Sequence, residues 1–353
     1  MKNEILQEDL SYIFSNFNEK DRLKGSSILI TGCAGFLGFY QMHFLASYGN
    51  TLKIKQIIGL DNFTLGEPRW LKDIVNVSAA LSIHQFDIAK DDLGNIPGAQ
   101  KADFVIHMAS IASPSFYRKY PLETIDANIW GLRRLLDFYR ERGLRGFLFF
   151  SSSEIYGDPP HDAIPTSEEY RGSVPTIGPR ACYDQSKKFG ETLSYVYAKT
   201  YGMPIMIVRP FNNYGPGMRL DDKRVVADFA KAIFEDKDIQ IFSDGSPTRT
   251  FCYIADAITG YLKALTFGQF DYFNIGIERP EISVTQLAKI FQEKGKKILN
   301  YRGNIIFTPS SDKEYLEHNP SRRCPDIGKG KRLLNYQPGI LVDEGVERLL
   351  TFT

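Results

Sequence analysis

Cysteine is scarce in this chain and never paired: Cys33, Cys182, Cys252 and Cys324 are scattered, without a Cys-x-x-Cys. That argues against a disulfide frame or a thiolate zinc site and predicts free thiols in a reducing cytosol. The five histidines stand apart, so no metal site is expected. An excess of one charge is missing too. Lys and Arg number 43 against 42 Asp and Glu, a net charge of +1 with no basic stripe for nucleic acid. No apolar run approaches the ~18 residues of a membrane span. The opening Met1–Leu10 segment is charged throughout, unlike a secretory signal. A cytoplasmic protein without nucleic-acid or membrane partners is the expectation. What is present is 353 residues with 43% hydrophobic content, enough for one large domain or two closely packed ones.

Residues 1–24 read as an amphipathic extension, with Leu6, Leu10, Ile13 and Phe14 near helical spacing, packing on the body or on a partner subunit. From Ser27, apolar strands alternate with helices. The strands are expected at Ile28–Ile30, Ile54–Gly59, Ser82–Phe86, Phe104–His107, Phe147–Ser151 and Ile205–Arg209. Among the helices between them are Phe36–Tyr48, Thr124–Arg142 and Tyr183–Tyr201. Such alternation predicts an α/β fold, a doubly wound parallel (Rossmann) sheet spanning residues 25–210. Past Pro210 the grain changes to turns, a Val225–Phe234 helix and short strands at Gln240–Phe242 and Phe251–Tyr253. Residues 211–353 read mainly as a smaller substrate-binding domain. The proline-rich Gly157–Pro179 stretch is expected as a loop able to cover the site.

The strand Ser27–Ile30 runs into Thr31-Gly-Cys-Ala-Gly-Phe-Leu-Gly38, and a helix follows. Glycines at 32, 35 and 38 in this strand–turn–helix setting allow helix N-terminal amides, here beginning at Phe36 and Leu37, to meet a pyrophosphate. Asp61 ends the second strand. A carboxylate there accepts from ribose hydroxyls and repels a 2′-phosphate, which favours NAD over NADP. The plainer reading has Asp61 capping a turn with Asn62. Downstream lies Tyr183-Asp-Gln-Ser-Lys187. Positions i and i+4 share a helix face about 5–6 Å apart, so the Lys187 ammonium can favour the Tyr183 phenolate over the phenol. A base beside a bound dinucleotide equips a protein to oxidise an alcohol. Ser151-Ser152-Ser153-Glu154 follows the fifth strand, at the sheet's carboxyl edge. The serines there can donate to a substrate hydroxyl or cap a turn, and Glu154 can serve as acid, base or fixed charge.

On these motifs the chain resembles the extended short-chain dehydrogenase/reductases that modify nucleotide sugars. The shared marks include Asp61-Asn62, Phe86-Asp87-Ile88, His107-Met-Ala109-Ser and Arg209-Pro210-Phe-Asn212. Within that family the UDP-glucuronate decarboxylase (UDP-xylose synthase) group is most similar, on Ile177-Gly-Pro-Arg-Ala-Cys-Tyr183, Arg224-Val-Val-Ala-Asp-Phe229 and Arg322-Arg-Cys-Pro-Asp-Ile327. The resemblance implies NAD held by the glycine turn, Asp61, Asn62, Asp87, Ile88, Ala109, Tyr183, Lys187 and Pro210. It implies a nucleotide sugar, UDP-glucuronate, held by Asn212, Arg224, Arg249 and Arg323, and a homodimer formed by two long helices per subunit.

The chemistry it implies uses Ser152, Ser153, Glu154, Tyr183, Lys187 and Arg323. The sugar is oxidised at C4, loses CO2 from C6, and is reduced again to the pentose. Related 4,6-dehydratases carry Asp-Glu where this chain has Ser153-Glu154, because they must protonate a leaving C6 hydroxyl. A C6 carboxylate has none. A 4-epimerase, a dehydratase or an enzyme that releases the 4-keto pentose are the alternatives on the same scaffold. A non-catalytic regulator fits poorly, since Tyr183 and Lys187 are both present. The chain departs from the group at Ser152 (usually Thr), Gln185-Ser186 (usually Glu-Gly) and Gly217 (usually Arg).

Overall fold

Apolar segments separated by turns pair side by side into one parallel seven-stranded sheet. In this computed structural model, which describes residues 2–310 and 320–352, six strands come early: β1 (Ser27–Thr31), β2 (Gln56–Asp61), β3 (Leu81–Gln85), β4 (Phe104–His107), β5 (Gly146–Phe150) and β6 (Ile205–Pro210). Asp271–Ile275 is the seventh. The order across the sheet is Asp271–Ile275, β6, β5, β4, β1, β2, β3, so winding reverses between β1 and β4 and opens a crevice at their carboxyl ends. Every residue of β1, β4 and β5 is buried, as strands covered on both faces must be. Alternate residues feed two cores: Ile28 and Ile30 on one face, Leu29 on the other.

On the first face lie α1 (Lys2–Asn16), α2 (Phe36–Tyr48) and the Ile254–Leu265 helix. On the second lie the Ala181–Tyr201 helix and a helical run from Pro121 to Tyr139. The N-terminal extension docks on the body. It buries Leu6, Leu10 and Ile13, and Asp9 accepts from Tyr40 Oη at 2.7 Å, Tyr253 Oη at 2.6 Å and Arg348 Nη1 at 2.7 Å.

Several expectations shift. β2 starts two residues late, because the Ile54 amide closes the preceding turn on Gly49 O at 2.9 Å. The expected Thr124–Arg142 helix is instead Pro121–Ile125, a π-helical Asp126–Gly131 and Leu132–Tyr139. Gly131 sits in that widened turn where a Cβ would come within 2.6 Å of Ile88. Past Pro210 the chain is not confined to a second unit. The Ile254–Leu265 helix packs on β5 and β6, and Asp271–Ile275 extends the sheet beside β6. The Gly157–Pro179 loop is no lid, since none of its residues lines the cleft. It is tied down instead: Thr166 pairs with Pro325, and Glu168 accepts from the Asn274 amide at 3.0 Å.

Candidate active site

Above the carboxyl ends of β1, β4 and β5 lies a cleft of about 920 Å³, within the usual range for a small-molecule site. Its floor is the glycine turn. Gly32 takes φ +72°, and a Cβ on it would lie 2.7 Å from the Ala109 amide nitrogen. A Cβ on Gly38 would lie 2.2 Å from Cys33 O, so only glycine lets α2 pack this close to the turn. α2 starts behind Gly35 with no side-chain cap, which leaves its first amides to a ligand. Phe36, Leu37, Asn62, Asp87, Ile88, Ala109 and Pro210 line the same cleft. Asp61 does two jobs. Its oxygens accept from the Ala34 and Phe63 amides, each at 2.9 Å, and the carboxylate still borders the cleft. The glycine cradle, the uncapped helix start and this carboxylate suit a dinucleotide with a free ribose.

Tyr183 and Lys187 both border the cleft. The Tyr183 ring stacks on Tyr117, with centroids 5.1 Å apart. Lys187 Nζ donates to Phe150 O at 2.7 Å and lies 5.7 Å from the Tyr183 ring centroid. Burial pushes Lys187 down to about 7. Burial also pushes Tyr183 up to about 12, against a hydrogen bond with Ser152 that favours the phenolate. In so dry a setting both charges are costly, and the Ser152 hydrogen bond acts on the side of the phenolate. Ser152 also caps the turn that follows β5, accepting from the Glu154 amide at 3.2 Å. Ser151 is spoken for by Glu191, to which it donates at 2.5 Å.

Glu154 stands in a knot of arginines. Arg180 Nη2 bonds Glu154 Oε2, and Arg323 Nη2 reaches the same oxygen at 3.0 Å. Burial alone would raise this carboxyl, but Arg323, Arg180, Arg249 and Arg224 together hold it below the usual range. Arg323 is itself 2% exposed and bonds Ser153 O. It does not itself line the cleft, whereas the expectation set it against a sugar or diphosphate. Arg323 stands behind Glu154, pinned by two acceptors. Of the two guanidiniums bonded to Glu154, the one that lines the cleft is Arg180. Sequence reasoning quoted it within a motif without giving it a role. Tyr117 was missed as well. It lines the cleft with a buried hydroxyl that has no partner among the described residues. No local pattern marks either residue; each is placed by packing against Tyr183 or Glu154.

Asn212, Arg224 and Arg249 line the same cleft, the two arginines close enough to Glu154 to lower its carboxyl. Asn212 takes φ +43° and donates to Thr250 O at 2.9 Å. Arg224 forks onto Asp222 at 2.6 and 2.8 Å. Arg249 donates to Thr248 O at 2.8 Å and to Ser321 O at 3.1 Å, whereas Asp244 instead holds Ser246. Burial and the neighbouring Arg323 lower Arg249 to about 10, which leaves it cationic at neutral pH. Gly217 takes φ +82°, and a Cβ there would lie 2.6 Å from the Phe39 ring. An arginine has no room at that position. Arg219, two residues on, supplies a guanidinium to the cleft instead.

The sequence model of the NAD dependent epimerase/dehydratase family matches residues 28–276. UDP-glucuronic acid decarboxylase 1 of Xenopus tropicalis is 33% identical over 95% of this chain and 73% of its own length. UDP-glucuronic acid decarboxylase 2 of Arabidopsis thaliana is 33% identical over 92% and 67%. Among solved structures, UDP-glucuronic acid 4-epimerase from Bacillus cereus, in complex with UDP-glucuronic acid and NAD, superposes with a TM-score of 0.74 at 27% identity. That match covers 92% of this chain and 98% of the epimerase. UDP-glucose 4-epimerase from Thermotoga maritima gives 0.78 at 26% identity, with the same coverage. All four cysteines are free. Among the described residues no acidic, histidine or cysteine group has metal-site geometry, and no helix is long and apolar enough to cross a membrane.

Proposed function

Since the chain belongs to the NAD dependent epimerase/dehydratase family, we propose that it is an NAD-dependent decarboxylase converting UDP-glucuronate to UDP-xylose through a 4-keto intermediate. The observation that carries this reading is the corner where Arg180 faces the cleft beside an ionised Glu154. It offers a fixed cation to a sugar carboxylate and a fixed anion to disfavour it. The decarboxylase relatives, similar over more than nine-tenths of the chain, support the same choice.

Bound NAD supplies the hydride acceptor and, when oxidised, a positive ring that favours an ionised Tyr183. Tyr183 takes the proton of the sugar 4-hydroxyl, with Ser152 hydrogen-bonded to its phenol. The resulting 4-ketone is β to the C6 carboxylate. As the C5–C6 bond breaks and CO2 leaves, its electrons spread onto the C4 oxygen, which Tyr183 and Ser152 stabilise by hydrogen bonding. Glu154 destabilises the carboxylate in the ground state, and Arg323 keeps Glu154 charged. Once C5 has gained a proton, reduced NAD held by the glycine turn would supply the hydride that C4 needs to give the pentose. Arg224, Arg249 and Asn212 hold the nucleotide diphosphate, where forked guanidiniums suit phosphate oxygens.

The protein works as a homodimer in a reducing cytosol, a setting that its four free thiols fit. Leu122 and Trp130 on the Pro121–Tyr139 run are 71% and 59% exposed; Phe189 and Val196, two turns apart on the neighbouring helix, are 50% and 46% exposed. Such a face suits a second copy of the chain. Separating the nucleotide sugars formed from UDP-glucuronate tests the reaction. UDP-xylose with an equal yield of CO2 is expected; the C4 epimer with all its carbons would assign a 4-epimerase, the activity of the Bacillus cereus neighbour.

A further inference from the structure

The corner behind Glu154 holds one carboxylate that the reaction above leaves unused. Asp184 opens the Ala181–Tyr201 helix, is 4% exposed and does not reach the cleft wall. Its Oδ2 accepts from Arg180 Nε at 3.3 Å, while its Oδ1 is buried with no hydrogen-bond partner. Arg180 turns Nη2 to Glu154. Nε and Nη2 form one edge of a planar guanidinium, so the two carboxylates sit side by side on it. The groups facing Asp184 are Glu154 after β5, Arg323 and Tyr117 from other segments, and Arg180, Cys182 and Tyr183 from its own.

Glu154 and Asp184 share two bonded guanidiniums in this buried knot, Arg180 and Arg323, while Arg249 and Arg224 act on Glu154 without bonding either carboxylate. A sugar carboxylate docking at Arg180 adds a negative charge without adding a cation. Neighbouring buried carboxylates do not all stay ionised; one takes up a proton. Glu154, held by two arginines, keeps its charge. Asp184, with one long bond and one bare oxygen, does not. Burial first, and the Glu154 charge second, push its carboxyl up to about 7. The reaction consumes one proton: loss of CO2 leaves an electron pair shared between C5 and the C4 oxygen, and C5 must gain H⁺.

We propose that Asp184 stores this proton, entering the substrate complex protonated and passing the proton from its own oxygen directly to the Glu154 carboxylate held beside it on Arg180, which delivers it to C5. The O–H bond of Asp184 breaks as that of Glu154 forms. The latter breaks as C5–H forms and the enolate electrons close that bond. Nothing is oxidised or reduced, and solvent reprotonates Asp184 after product leaves. Asp184 acts through Glu154 and touches no substrate atom.

This inference rests on the decarboxylase reading, and the test separates the two. Asp184→Asn keeps an acceptor for Arg180 but stores no proton. In the full-length, NAD-loaded protein turning over UDP-glucuronate, kcat should fall about 10²-fold, as for a lost acid, with KM unchanged. The wild-type fall in kcat above neutral pH should vanish, and Asp184→Glu should restore it with part of the rate. Wild-type kcat with the same alkaline fall in Asp184→Asn would overturn the proposal. So would kcat and KM worsening together under an unchanged profile. If wild type itself releases no CO2, the decarboxylase reading falls and takes this one with it. Should Asp184→Asn not fold, infrared spectroscopy of the wild-type holoenzyme still decides. A buried carboxylic-acid band that disappears as pH rises through neutrality is expected, and its absence refutes the store.

Discussion

Replacing Tyr183 by phenylalanine removes one oxygen and almost no shape, so the stacking on Tyr117 survives. Tyr183→Phe should lose C4 oxidation by about 10²–10⁴-fold, the usual worth of a placed base, while NAD still binds. Wild-type-like turnover would end its assignment. Asp184 makes a second prediction, about stability. Its carboxyl is raised in the fold from 3.8 to about 7. A raised carboxyl stabilises the fold only while protonated, so its contribution is lost as pH rises through the folded value. The Tm of Asp184→Asn minus that of wild type should therefore grow from acid to neutral pH and then level; a constant difference would contradict it. At this scale the motif residues were legible because their chemistry depends on local spacing: Tyr183 with Lys187, and glycines 32, 35 and 38. Arg180 and the true place of Arg323 were not. Each is set by a contact with Glu154 across 26 or 169 positions of chain.

The β1–turn–α2 element leaves no room for side chains at its glycines. Gly38→Ala drives a Cβ against Cys33 O, and should cost about 1–3 kcal/mol as overpacking does, with weaker NAD binding. Denaturant unfolding and NAD titration check both; unaltered stability would mean that the turn yields. The two helices facing solvent make another test. Trp130→Glu with Val196→Arg places opposite charges on the apolar face and should leave a monomer by light scattering at micromolar concentration, whereas an unchanged dimer would move the interface elsewhere. Most strands were readable because parallel strands buried on both faces appear as short apolar runs. The π-helical turn at Asp126–Gly131 was invisible, because its one-residue widening barely disturbs the apolar spacing of an α-helix. Proline content suggested a lid at Gly157–Pro179, but hydrogen bonds to the Asn274 and Pro325 segments hold it.

At the level of the whole molecule, the boundary at Pro210 was legible as a change of grain. The return of Asp271–Ile275 to the sheet was not, because strand pairing across sixty residues leaves no local mark. The resulting crevice brings the glycine turn at the β1 and β4 ends and the arginine corner after β5 into one cavity, the arrangement that the proposed oxidation at C4 and cleavage at C6 require. A single-turnover experiment tests this arrangement most directly. NAD-loaded protein is mixed with UDP-glucuronate, and NADH absorbance is followed together with trapped CO2, in wild type and in Glu154→Gln. The account predicts that in wild type NADH rises before CO2 appears and then falls. In Glu154→Gln, NADH forms at the wild-type rate and persists while CO2 is released about 10²-fold more slowly. CO2 released at the wild-type rate by Glu154→Gln, or NADH cycling in wild type with no CO2 at all, would contradict it.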